Sequence, residues 1–169
     1  MEEIYKRRSI RKYSNKDIED EKIEKLLKAA MQAPGSRLNA EPWEFIVVRN
    51  NETIKKLSRM DVNSKPLSGA KVAIVLIANM ETSYFKHAWE QDMAASATTL
   101  LLEASYLDLG AVWINVAPKE NRMEYISDLF NLDKHLRPFN IISLGYPADG
   151  EKNEFLNKYH KDRIHYEKY

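Results

Sequence analysis

The densest run of chemistry-bearing side chains is Arg7-Arg8-Ser9-Ile10-Arg11-Lys12-Tyr13. A guanidinium offers a rigid fork of donors that matches phosphate oxygens, and a serine hydroxyl adds a short neutral donor. The run could therefore cradle a phosphate. It could equally be a solvated basic face, which is what most charge runs are. A second feature is the loop Ala33-Pro34-Gly35-Ser36-Arg37-Leu38-Asn39-Ala40-Glu41-Pro42-Trp43. Ser36 and Asn39 could face a planar ligand with a polar edge. Pro34-Gly35 could also be no more than a helix stop, and Trp43 no more than a core anchor.

Several chemistries are absent. The five glycines stand at 35, 69, 110, 145 and 150, so neither G-x-G-x-x-G nor a P-loop can form. Any phosphate must be held by side chains. There is no cysteine, which removes thiol catalysis, iron–sulfur clusters and disulfides. His160 and His165 are five apart and no H-E-x-x-H occurs, so no metal centre is expected. No G-x-S-x-G is present either. Twenty-six basic against twenty-five acidic residues leave a net charge of +1, which argues against wholesale binding to nucleic acid or an acidic membrane. The longest apolar run, Val72 to Ala78, is too short to span a bilayer. The acidic Met1-Glu2-Glu3 has no apolar stretch behind it, so no signal peptide and a cytoplasmic location are expected.

The elements that must position these residues follow from periodicity. Ile23, Leu26, Leu27, Ala30 and Met31 predict a helix over 18–33, ended by Pro34-Gly35. Residues 45–48 read as a strand, 51–60 as a helix and the apolar run 72–78 as a central strand. The longest helix is expected from about Tyr84 to Leu107, apolar nearly all round from Gln91 onward. A helix without a polar face is buried on every side, which suggests that a second chain covers it. Strand 112–116, helix 119–130 and strand 140–145 complete the pattern, followed by a polar tail. One domain over 1–169 with an α+β fold is the economical reading.

Taken together, R-R-S-I-R-K-Y and the later A-P-x-S-x-x-N-x-x-P-W loop resemble the FMN-dependent nitroreductase family. Gln91-Asp92-Met93-Ala94-Ala95, Gly110-Ala111-Val112-Trp113-Ile114, Leu144-Gly145-Tyr146-Pro147 and Asp162-Arg163-Ile164-His165-Tyr166 follow in family order. The resemblance implies a mixed β-sheet packed with helices, an intertwined homodimer, and FMN in the subunit interface. It implies phosphate and ribityl contacts from Arg7, Arg8, Ser9 and Arg11, with Arg163 of the closing segment also reaching the phosphate. Pro34, Gly35, Ser36 and Asn39 of the partner chain would line the flavin ring, and the backbone around Trp113 and Ile114 its other side. Asn63 and Lys65 are candidates for the pyrimidine edge, while Tyr84, Phe85 and Trp89 are candidates for lining the acceptor site. His87 lies in the same segment. Two positions depart from the family pattern: Glu41 stands where Gln is common, and Asn115 where Gly often follows the Trp-Ile pair.

The implied activity is ping-pong hydride transfer from NADH or NADPH to FMN and on to an oxidised acceptor such as a nitroaromatic or quinone. The sequence leaves open a dedicated acceptor, as in a reductive dehalogenase or enone reductase. It also leaves open a non-catalytic flavin-binding or interaction protein on the same fold.

Overall fold

A computed structural model describes residues 2–37 and 40–169. Its centre is a four-stranded sheet in the order β1-β2-β4-β3, with β1 Trp43–Val48, β2 Val72–Asn79, β3 Gly110–Asn115 and β4 Leu136–Gly145. All three strand pairs are antiparallel. The parallel component is one bridge, Ser9 to Ala111.

The run 72–78 has no polar alternation because β2 is covered on both faces. Successive side chains of a strand point to opposite sides. Val72, Ile74, Leu76 and Ala78 join a core beneath α2 (Asp20–Ala30) and α4 (Trp89–Tyr106). Ala73, Val75 and Ile77 join a second core, with Ile54 and Leu57 of α3 (Asn51–Ser58) and Ile126 of α5 (Glu120–Phe130). Strand β4 begins four residues earlier than its apolar run suggests and includes Pro138. The β2–β4 register skips Phe139, and such an irregularity tolerates a residue with no N–H to donate.

Two short elements escaped the sequence reading at the edges of this core. Residues Glu3–Lys6 form a helical turn, α1, and Val62–Gly69 form a 3₁₀ helix. The 3₁₀ helix contains Pro66 and is capped by Asp61, whose carboxylate accepts from the Asn63 N–H at 2.7 Å. Among the described residues, no helix is long and apolar enough to cross a membrane.

Helix α4 differs from its expected form. It starts at Trp89 rather than near Tyr84, and it is not buried all round. Met93, Ser96, Ala97, Leu100 and Ala104 are buried, while Gln91, Thr98 and Tyr106 are exposed and Ala94, Ala95 and Leu102 are half-covered. The side left open in one chain carries Gln91, Ala94, Ala95, Thr98, Leu102 and Tyr106.

Tyr146 ties the end of β4 to the start of α2. Its hydroxyl donates to Glu19 Oε2 at 2.7 Å, and the ammonium groups of Lys16 and Lys22 lie over its ring. The hydrogen bond from Tyr146, reinforced by Glu19's own backbone, holds the Glu19 carboxyl at about 2. A depressed folded-state value contributes stability above the ordinary carboxylate value of 4.5, and this is lost as pH falls toward 2. Tyr146→Phe keeps the ring and removes only the hydroxyl. Its melting temperature should therefore trail that of the parent by a constant gap above about pH 5, narrowing as acid protonates Glu19. A gap unchanged in thermal melts between pH 7 and pH 2.5 would show that the pair has no such role.

Candidate functional site

The amino-terminal arm is laid against the sheet by two contacts that require glycine. Gly110 and Gly145 face each other across the β3–β4 pair. A methyl group at Gly110 would stand 2.6 Å from Ile10 Cγ2, and one at Gly145 would stand 2.6 to 2.8 Å from Tyr13 carbons. With both side chains absent, Ile10 is 3% exposed. Tyr13 reaches Ile10 O at 2.9 Å and Ser143 Oγ at 3.0 Å with its hydroxyl. Burial pushes the Tyr13 phenol well above its usual value, so it stays a neutral hydrogen-bonding anchor.

Because the arm is extended, its side chains alternate. Ile10 turns into the core, whereas Ser9 and Arg11 are exposed and Arg7 is half-buried. At strand spacing the row from Arg7 to Arg11 is about 13 Å long. Arg7 carries a guanidinium with no hydrogen-bond acceptor among the described residues. Its burial, and secondarily the neighbouring Arg8 cation, lower its pKa from the usual value. An anion placed there would relieve both effects. Arg8 lines the same hollow as Arg7. It donates to the carbonyls of Glu154 at 2.7 Å, Arg7 at 2.7 Å and Tyr5 at 2.5 Å, so it braces the tail instead of presenting a free fork.

The arm leads to the outer edge of β3. Ile10 N–H donates to Ala111 O at 3.0 Å, and Arg122 Nη1 donates to Asn115 O at 2.7 Å. Both carbonyls therefore point away from β4. Backbone groups alternate along an antiparallel strand, so the N–H and C=O of Trp113, midway between them, point outward along the same edge. That edge is one wall of a polar pocket of about 370 Å³. Arg11, Asn63, Trp113, Asn115, Lys119 and Arg122 line it, with Val112 and Ile114, and no carboxylate is among its lining residues.

Two of these residues have structural reasons that the sequence did not advertise. Asn115, where the family often has glycine, accepts the Trp113 indole N–H on its side-chain oxygen at 2.6 Å. Arg122 is 4% exposed and pairs with Asp61 at 2.5 Å, yet its Nε has no partner. A cation on the buried stripe shared with Ile126, four residues on, is the signal that could have singled it out. The backbone N–H of Asn63 first, and the Arg122 side chain second, hold the Asp61 carboxyl below its usual range.

The structure thus brings Arg11, Asn63, Trp113 and Ile114 together in one pocket. Arg7 lines a separate hollow beneath Phe155 and Tyr159. Lys65 lies on the exposed side of the 3₁₀ helix and does not line the pocket. Arg163 sits in a 3₁₀ turn of the exposed tail and is not among the residues that line the pocket. Pro34 is exposed and Ser36 Oγ is buried without a partner, while Asn39 lies outside the described residues. Gly35 is required where it stands, since a methyl group would meet Ala40 O at 2.1 Å. Tyr84 is exposed and stacks edge-on against Phe85 at 4.8 Å, with Arg37 bonded to its hydroxyl at 3.3 Å. Trp89 is 7% exposed, set edge-on to Phe139 and covered by Arg137.

The residues that build the sheet, the arm and the pocket fall within the match of the Nitroreductase family model. That model matches residues 4–63 and 58–146, and the chain belongs to this family. A solved structure from Clostridium acetobutylicum, provisionally named an NADH oxidase, superposes with a TM-score of 0.96 at 50% identity over 99% of both chains. An FMN-dependent nitroreductase from Clostridium difficile R20291 superposes with a TM-score of 0.89 at 32% identity, over 99% of this chain and 98% of that one. A protein of Archaeoglobus fulgidus, provisionally named NADH dehydrogenase/NAD(P)H nitroreductase, is 44% identical over 98% of this chain and 96% of its own length.

Proposed function

We propose that this protein is an FMN-dependent NAD(P)H oxidoreductase, with NADH or NADPH as donor and an oxidised acceptor such as a nitroaromatic or quinone. The observation that carries the reading is the carboxylate-free pocket at the unpaired edge of β3, with Arg11 in its wall and Ser9 and Arg7 further back along the same arm. An elongated ligand with a phosphate at one end and a flat, polar-edged ring at the other suits that arrangement. Family membership and the FMN-dependent relative support the same cofactor.

The residues fit FMN on chemical grounds. Arg7 supplies a half-buried cation without a counterion, suited to the phosphate. Ser9 offers a hydroxyl to the chain between phosphate and ring. The outward N–H and C=O of Trp113 offer one donor and one acceptor to the edge of a heterocycle, and Asn63 adds an amide. Arg11 and Lys119 make the pocket cationic, Arg122 being paired with Asp61, and this favours a ligand that gains negative charge on reduction. When bound, FMN would supply hydride uptake from the nicotinamide and delivery to the acceptor. The protein's own contribution is position and field, and no side-chain acid or base is assigned.

A second copy of the chain completes the proposal. The half-open side of α4 adjoins an apolar groove of about 380 Å³ between α1, α2 and α4, where Ile4, Ala29 and Leu102 meet. A homodimer covering this groove would let the partner's loop, with Pro34, Gly35, Ser36 and Asn39, and its Arg163 reach the cofactor. Tyr84 and Phe85 would then stand near the acceptor.

The test is direct. The purified protein should be yellow, carry about one FMN per chain, and bleach anaerobically on adding NADH or NADPH. A yellow protein that does not bleach would favour the non-catalytic alternative, and a colourless one that takes up no added FMN would remove both.

A further inference from the structure

Arg122 belongs to no motif of the sequence, yet it is the residue through which the walls of the pocket are joined. Its Nη2 meets Asp61 Oδ2 at 2.5 Å, and its Nη1 meets Asn115 O at 2.7 Å. The other oxygen of Asp61 takes the Asn63 N–H at 2.7 Å, and the Asn115 side chain takes the Trp113 indole at 2.6 Å. One planar guanidinium thus couples the start of the 3₁₀ helix to the last residue of β3, across a gap that no backbone bond spans among the described residues. Three of the residues so connected, Asn63, Trp113 and Asn115, line the pocket, and so does Arg122 itself.

From this network we infer that the Asp61–Arg122 pair is a positioning device for the ring end of the cofactor site, fixing the spacing between Asn63 and the open edge at Trp113. The inference rests on the flavin reading above for what occupies the pocket, but not for the clamp itself. Positioning, rather than charge alone, is its role. A guanidinium can hold two acceptors in one plane, and a lysine ammonium at the same place cannot reproduce that fork. Removing one partner of a buried, hydrogen-bonded pair leaves the other uncompensated, so either deletion releases the same spacing.

The test uses the full-length protein and four variants: Arg122→Met, Arg122→Lys, Asp61→Asn and the Arg122→Met/Asp61→Asn double. FMN dissociation constants come from quenching of flavin fluorescence, and hydrogen exchange at the Asn63 amide is followed in FMN-free protein. Each single variant, Arg122→Lys included, is expected to weaken FMN at least tenfold and to accelerate Asn63 exchange. The double variant should be no worse than the weaker single, because the two residues act as one unit. Asp61→Asn preserves volume and an amide oxygen, which keeps the test alive if Arg122→Met fails to fold. Singles that lower the melting temperature but leave FMN affinity within twofold would overturn the positioning role. Additive losses in the double would do the same. Should the parent chain bind no FMN, the flavin reading fails by itself, and unchanged Asn63 exchange in the variants would then reject the clamp separately.

Discussion

Arg7→Ala and Arg163→Ala should each purify with little or no FMN while retaining their far-ultraviolet circular dichroism. A charge-assisted hydrogen bond contributes roughly 1.5–3 kcal/mol, so losing one should weaken the cofactor about 10- to 150-fold. The two variants test different things. Arg7 belongs to the arm of its own chain, where its guanidinium lacks an acceptor. Arg163 lies in the exposed tail, and the proposed dimer would carry it to the partner's site. The Arg163 effect should therefore accompany a dimer in sedimentation. A stable monomer that retains stoichiometric flavin would remove the shared-site arrangement, and retention of full flavin by both variants would remove the phosphate assignment altogether. Arg8→Ala should instead loosen the tail, because its donors already serve the carbonyls of Tyr5, Arg7 and Glu154.

The second large effect is expected far from any charge. Gly145→Ala places a methyl group 2.6 Å from Tyr13 Cγ, well inside contact distance, and the glycine sits in a sheet that cannot give way. The Tyr13 ring, or the arm that bears it, must move instead. Overpacking of this kind costs about 1–3 kcal/mol. In a chain of this size that lowers the melting temperature by several degrees. The displaced arm also carries Arg7, Ser9 and Arg11, so FMN affinity should fall together with stability. Gly110→Ala should act in the same way through Ile10. Gly69→Ala is the control: its nearest contact would be Tyr13 Cδ2 at 4.0 Å, an ordinary distance, and both readouts should stay near those of the parent. Full flavin binding by Gly145→Ala would mean that the arm does not position the site.

How far the sequence could be read depended on the kind of physical signal each part carries. Strand β2 was plain because a strand covered on both faces must be apolar at every position. The α5 boundaries were also close, since its apolar stripe is regular and Asn131 ends it in a left-handed conformation. The 3₁₀ helix Val62–Gly69 was missed because it has no apolar period and is held from outside, by Asp61 and Arg122. The site divides along the same line. Arg11 and Asn63, which line one pocket, were singled out by type and order along the chain, whereas the glycine pair that seats the arm and the buried Arg122 depend on distant partners. Trp89 was less legible, because an aromatic at a helix start looks the same in sequence whether or not it packs on a ring such as Phe139.

The outward edge of β3 has a consequence for the life of the protein before it is complete. An outermost strand with bare main-chain donors and acceptors is a template onto which other extended segments can add, and this is how many proteins begin to precipitate. Among the described residues the arm pairs with that edge at Ala111 alone. If the flavin occupies the remainder, it blunts the template as an extra strand would. Vitamin supply during synthesis would then govern how much of the polypeptide stays in solution, quite apart from how fast the finished molecule turns over.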